Sequence, residues 1–253
     1  MNKKNLFLAF VFCLSLRSFS QDAITLQQSG ADLDVLYRNE MVMGIIVHNE
    51  GMGINYRRGK HVTGFKTRFL DFDFVTMKHP KQTKTTSGSS LVSAKGFYYG
   101  KLNSVTILRS GVGYQRILFG KAGKERKSVE IRSVTAGGLS MGMAKPVYLE
   151  IVRSQSDFII STERYDPDKH KMDDIYGRAP YSRGISETKF HPGAYVKLGL
   201  SVEYADMHKD IKAIEVGGIL DAFPKAIPMM AYQKNHPLMF TLYINFLYGN
   251  RWF

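Results

Sequence analysis

Cysteine is nearly absent from this chain: Cys13 is the only one among 253 residues. It lies in an apolar run near the N-terminus, and Phe12 stands before it, where a lipidated cysteine needs a small residue. The remainder therefore has no disulfide, no zinc-thiolate site and no thiol nucleophile. Long hydrophobic runs are missing too. After Gln21 no stretch approaches the roughly 18 apolar residues that a transmembrane helix needs. There is no phosphate-cradling glycine loop, no internal repeat and no second domain. Acidic residues are few, 22 against 35 basic, for a net charge of +13. What remains is a soluble protein or a closed barrel, whose membrane strands need only about ten residues each.

The N-terminus narrows the choice. Lys3 and Lys4 precede the apolar run Leu6 to Leu16, and Ser18-Phe19-Ser20-Gln21 offers a cleavage neighbourhood. Residues 1–21 read as a cleaved secretory signal peptide. Residues 22–253 are then one exported domain. Without Lys3, Lys4 and Arg17, 32 basic residues still face 22 acidic ones. Nucleic acid is not an expected partner, because no aromatic-basic stacking motif or recognition helix accompanies the charge.

Period-two alternation recurs along the chain, which marks strands with one apolar and one mixed face. It predicts strands at about 41–48, 51–57, 61–77, 102–118, 127–143, 193–204, 211–222 and 238–253. Within 61–77 the phase slips: Phe65 and Phe69 are odd, whereas Leu70, Phe72 and Phe74 are even. A bulge near Phe69 would restore the face. Connections at 58–60, 119–126 and 205–210 are short. On the other side 49–50 is a tight turn, whereas 78–101, 144–190 and 223–237 are long.

The last strand, Leu238 to Phe253, puts Leu238, Phe240, Leu242, Ile244, Phe246 and Tyr248 on one face and ends on Trp252-Phe253. Together with the signal peptide and eight alternating strands, it resembles the small outer-membrane β-barrel proteins of Bacteroidota. The likeness covers Leu36 to Phe253, and Arg251 departs from it where such strands carry an aromatic residue. The resemblance implies an all-β, antiparallel, up-and-down transmembrane barrel in the bacterial outer membrane. Loops 78–101 and 144–190 would then be extracellular, and Trp252 and Phe253 part of the signal read by the barrel-insertion machinery.

On this register the interior receives Asp71, Asp73, Arg109, Glu130, Arg132, Lys197, Glu203, Glu215 and Asp221. An eight-stranded barrel is just wide enough for side chains to fill it, so these charges are expected to form a paired network that plugs the lumen. Basic loop residues, Lys78, Lys81, Lys84, Lys95, Lys101, Arg178 and Arg183 among them, would face lipopolysaccharide phosphates. Lys121–Lys127 falls on a short turn.

Candidate chemistry is thin. Asp166, Asp168, Asp173 and Asp174 are hard oxygen donors of the kind calcium takes. Their order, D-x-D-x-H-x-x-D-D, lacks the glycine and terminal glutamate of the helix-loop-helix calcium site, and Lys169, Lys171 and Arg178 can pair with them instead. Tyr165, Pro167, Tyr176, Pro180 and Tyr181 suggest that the loop folds over the barrel mouth as a lid without a core of its own. No His-x-Ser pair accompanies any histidine. No cofactor is expected. The functional expectation is a non-enzymatic structural or accessory barrel that binds outer-membrane lipid, lipopolysaccharide or an envelope protein complex. The alternatives are a small-solute or ion channel and an outer-membrane lipid-modifying enzyme.

Overall fold

The computed structural model describes residues 38–86, 96–120, 128–154, 159–205 and 210–253. The expected signal segment 1–21, Lys95 and Lys121–Lys127 lie outside these residues. In chain order the strands are β1 (Asn39–His48), β2 (Gly51–Thr63), β3 (Lys66–Met77), β4 (Lys84–Thr85), β5 (Phe97–Tyr98), β6 (Asn103–Phe119), β7 (Ser128–Pro146), β8 (Tyr148–Ser154), β9 (Ile159–Arg164), β10 (Ile175–Arg178), β11 (Lys189–Ala205), β12 (Asp210–Ala222) and β13 (Leu238–Trp252).

Eight of them, β1, β2, β3, β6, β7, β11, β12 and β13, form a closed antiparallel barrel in which each neighbour is the next barrel strand along the chain. The fold is an up-and-down barrel with β13 closing on β1, where Asn39 pairs with Trp252 and His48 with Tyr243. The stagger is read by following partners around the ring. Asn39 leads to Lys60, Arg68, Tyr114, Thr135, Leu198, Gly218 and Leu242. Leu242 then bonds Asn49, so the ring closes ten residues along β1 from where it began. A shear of this size inclines the strands by about 35–45° and leaves an interior that side chains can fill.

Two local expectations are corrected. No bulge occurs at Phe69. β3 alternates without interruption, with Thr67, Phe69, Asp71, Asp73, Val75 and Met77 all buried. The apparent slip arises because Phe65 belongs to the turn and Phe69 is an aromatic on the inward face, opposite Leu70, Phe72 and Phe74 on the outer one. Correspondingly β2 runs on to Thr63, and its tight connection is Gly64–Phe65 rather than 58–60, with a register shift between His61 and Thr63. The turn residues give β2 and β3 their end, and the charge of Arg57, Arg58 and Lys60 does not interrupt a strand whose two faces look into different surroundings.

The long connections carry structure of their own. β4 pairs with β5, and β9, β8 and β10 form a three-stranded sheet beyond the loop end of the barrel. The 144–190 segment is thus shorter as a connection, because β7 continues to Pro146 and β11 begins at Lys189. It also has a core, contrary to expectation: Leu149, Ile151, Tyr165 and Ile175 bury against Phe97. Gly100 donates its backbone N–H to the Tyr165 hydroxyl at 3.2 Å, tying the two long loops together.

Candidate functional site

Inward-facing residues alternate with outward ones on every barrel strand, and the inward set is sorted into layers. Along β7 the order is Glu130, Arg132, then Val134 and Ala136, then Ser140, then Ala144. Along β3 it is Thr67, Phe69, then Asp71 and Asp73, then Val75 and Met77. Charged and apolar bands therefore repeat from the short-turn end to the long-loop end.

The central charged layer brings together three cations and four carboxylates. Arg57 forms a two-pronged contact with Glu215, at 2.8 and 3.2 Å, and also meets Asp71 at 3.3 Å. Lys197 Nζ sits 2.6 Å from both Asp71 and Asp73. Arg109 donates to Asp221 at 2.9 and 2.6 Å. Asn55 donates to Asp71 and Asp73 at 2.9 and 2.6 Å, Asn245 donates to Asn55, and the Tyr243 hydroxyl donates to Glu215 at 2.7 Å. Pairing of this quality offsets the desolvation cost that an isolated interior charge would impose. Bulky aromatics complete the layer. Tyr195 occupies the space left by Gly111, where a Cβ would lie 2.7 Å from its hydroxyl, and Phe69 stacks on the Arg57 guanidinium at 4.3 Å.

A second charged layer closes the short-turn end. Arg132 binds Glu130 closely and reaches Glu203 at 3.3 Å and Glu40 at 3.6 Å. Arg251 joins Glu203 at 2.5 Å and Glu40 at 3.7 Å. His61 stands 3.5 Å from Glu40 and 3.0 Å from the Thr67 hydroxyl. Arg251 thus has an interior task that an aromatic residue at its position could not perform.

At the opposite end the interior is apolar. Ile46, Val75, Val105, Ile107 and Ile219 meet Phe223, Ile227, Met229 and Met230 from the connection 223–237. That connection is pinned in place: Leu102 donates to Met229 O at 3.0 Å, Asn103 Nδ2 to Pro228 O at 2.7 Å, and Ala231 to Gly100 O at 2.7 Å. The segment inserted into the barrel is therefore 223–237, whereas the loop expected as a lid is the sheet β9–β8–β10.

All nine lumen charges read from the sequence are buried. Asp71, Asp73, Arg109, Lys197, Glu215 and Asp221 meet in the central layer, while Glu130, Arg132 and Glu203 belong to the second. Arg57 and Glu40 were missed because they fell at or beyond the expected strand ends, and Asn55, within the expected strand 51–57, because it carries no charge. The inward parity of Asn55, Arg57 and Gly59 was the available signal. β13 ends on Trp252 at the short-turn end, with Phe253 just beyond it, and Arg38 N–H donates to Trp252 O at 3.1 Å. The four acids of the long loop do not converge. Asp166 accepts the Asp168 backbone N–H at 3.1 Å and pairs with Lys169, Asp168 accepts from Tyr232, and Asp173 and Asp174 lie on a short 3-10 turn. The Asp168 N–H, with Lys169 beside it, holds the Asp166 carboxyl below its ordinary range. Among the described residues no three His, Cys, Asp or Glu side chains form a metal-binding group. Gly138-Leu139-Ser140-Met141-Gly142 has the spacing of a nucleophile elbow. It lies within β7, however, and the buried Ser140 hydroxyl has no hydrogen-bond partner and hence no base.

The class is thus a closed eight-stranded antiparallel barrel with a charged, filled interior and an apolar exterior. No protein-family model matches the chain, and no curated protein or solved structure matches it either.

Proposed function

We propose that this protein is an integral outer-membrane barrel, exported by its signal peptide, that serves as a non-enzymatic structural or accessory component of the cell envelope. One observation carries the reading: the two faces of the strands are inverted relative to a water-soluble protein. Met43, Ile45, Leu139, Val196, Leu198, Phe240, Leu242 and Phe246 are all more than half exposed on the outer face, while Arg57, Lys197, Asp71 and Glu215 lie fully buried. A contiguous apolar exterior needs an apolar solvent, and bilayer lipid supplies it around a closed barrel.

The rim residues support the same assignment. Near the short-turn end the outer face presents Arg58, Lys60, Lys66, Arg68, Arg116 and Lys212. Tyr56, Tyr114, Tyr204, Tyr248 and Trp252 stand nearby, and Lys66 Nζ lies 4.3 Å from the Tyr114 ring centroid. Among the described residues Asp210 is the one outward acid on the barrel strands at that end. Aromatic and basic side chains together suit a lipid headgroup layer, where long cationic side chains reach phosphate while their stems stay apolar. Trp252 and Phe253 at the closing strand would serve the insertion machinery.

The accessory reading is favoured over the channel because charged layers and the 223–237 plug fill the interior, and over the enzyme because, among the described residues, no serine is paired with a histidine base. Fractionation tests the location: the protein should sediment with the outer membrane and migrate faster on gels before boiling than after. Recovery in the soluble periplasm would refute the assignment. Reconstitution in planar bilayers tests the plug, with no steady conductance expected; an ion-selective current would replace the accessory role by a channel.

A further inference from the structure

We propose that the loop end of the barrel holds a binding site for a sugar phosphate, in a cavity between the ends of β3, β6 and β7 and the sheet β9–β8–β10. The cavity measures about 260 Å3, at the small end of ligand sites and of a size for one phosphorylated monosaccharide unit. Four cations from separate segments line it: Lys78 beyond β3, Lys101 before β6, Lys145 near the end of β7, and Arg178 at the end of β10. No carboxylate or histidine lines it.

The contrast with the interior is the argument. Within the barrel each buried Arg or Lys meets at least one carboxylate. Around this cavity, among the described residues, none of the four cations has an acidic partner. Two rest on aromatic rings instead: Lys101 Nζ lies 5.1 Å from the Tyr98 centroid and Lys145 Nζ 4.3 Å from that of Tyr181. Lys101 and Lys145 are partly buried, Lys78 and Arg178 exposed at the mouth, and Lys145 Nζ also donates to Arg183 O at 3.1 Å. Four like charges converging on one cavity make a positive field that attracts an anion. Burial and the charges of Lys78, Lys145 and Arg178 lower the Lys101 ammonium to about 8. Tyr98, Tyr148 and Tyr181 form walls on which a sugar ring can stack, and Gln82, Ser104 and Thr106 supply hydroxyl and amide groups for its hydroxyls. Phosphate satisfies the cations, and the aromatic walls select a pyranose over a bare ion.

Such a phosphate can be carried by a membrane glycolipid or by a free sugar. The site is independent of the membrane assignment, since binding and fractionation fail separately. The test uses the full protein in neutral detergent at pH 7, titrated by calorimetry with N-acetylglucosamine 1-phosphate in one arm and diphosphorylated lipid A in mixed micelles in the other. Binding in the first arm assigns a soluble ligand, and binding in the second alone assigns a lipid-borne one. In whichever arm binds, Lys101→Gln should weaken affinity about tenfold or more. Lys169→Gln, at a lysine that pairs with Asp166 outside the cavity, should leave it unchanged. Below about pH 8 Lys101 is charged, so affinity should fall as pH rises through that value, with Tyr98 and the other three cations still facing the site. No binding in either arm, equal binding of unphosphorylated N-acetylglucosamine, or equal losses in the two variants would overturn the proposal.

Discussion

The two ends of the barrel interior are filled by different chemistry. Towards the short turns, Arg132 and Arg251 knit Glu40, Glu130 and Glu203 together. Towards the long loops, Ile227, Phe223 and Met229 pack on Ile46, Val75 and Ile107. An apolar plug tolerates volume-conserving exchange. A charged layer does not, because each member removed leaves a partner buried and unpaired. The charged layers therefore specify register. A slip of one residue would turn every inward charge of a strand towards the apolar exterior.

The sharpest way to break this contrast is Lys197→Met. It strips Asp71 and Asp73 of a cation 2.6 Å from each, and stability should drop by about 3–5 kcal/mol, measured by denaturant unfolding of the reconstituted protein. A loss under about 1 kcal/mol would mean that water shares the central layer. Next in size is Ile244→Lys on the outer face of β13. It should cost about 2–4 kcal/mol in a bilayer, whereas at a merely solvent-exposed site the change would stay within about 0.5 kcal/mol; the same unfolding experiment in lipid vesicles separates the two.

The plug should yield more softly. Ile227→Ala should cost about 2 kcal/mol, the lower end for a buried isoleucine because the loop that carries it can settle into the gap. Ile227→Met should cost less than about 1.5 kcal/mol. Neither should open a conductance in planar bilayers, since both charged layers still fill the barrel beneath. The smallest effect belongs to Arg251→Gln at the rim, where the side chain is only partly buried. Loss of its charged contact to Glu203 should cost about 1.5 kcal/mol, read from the unfolding midpoint, and Arg251→Lys should recover part of it.

Alternation alone exposed the number of barrel strands and which residues face inward, because a strand's side-chain period is two whatever its neighbours are. Lys197 and Glu203 were assignable in this way, as were Asp71 and Asp73, although the same reasoning misread Phe69, an inward aromatic that stacks on Arg57, by expecting every large apolar residue of the run on one face. Arg57 was lost at an expected strand end, since a run of polar residues looks like a turn until one knows that both faces have suitable partners. Local pattern cannot say how far neighbouring strands are staggered, for stagger is a property of the closed ring. That stagger is what places Arg109 opposite Asp221 and Arg57 opposite Glu215, residues more than a hundred positions apart. Likewise the choice of 223–237 as plug and of β9–β8–β10 as an outer sheet depends on which loops share the mouth once the barrel has closed. The sequence by itself determined the strands and their two faces; the tertiary structure alone decided the pairings, because only closure brings distant strands into reach.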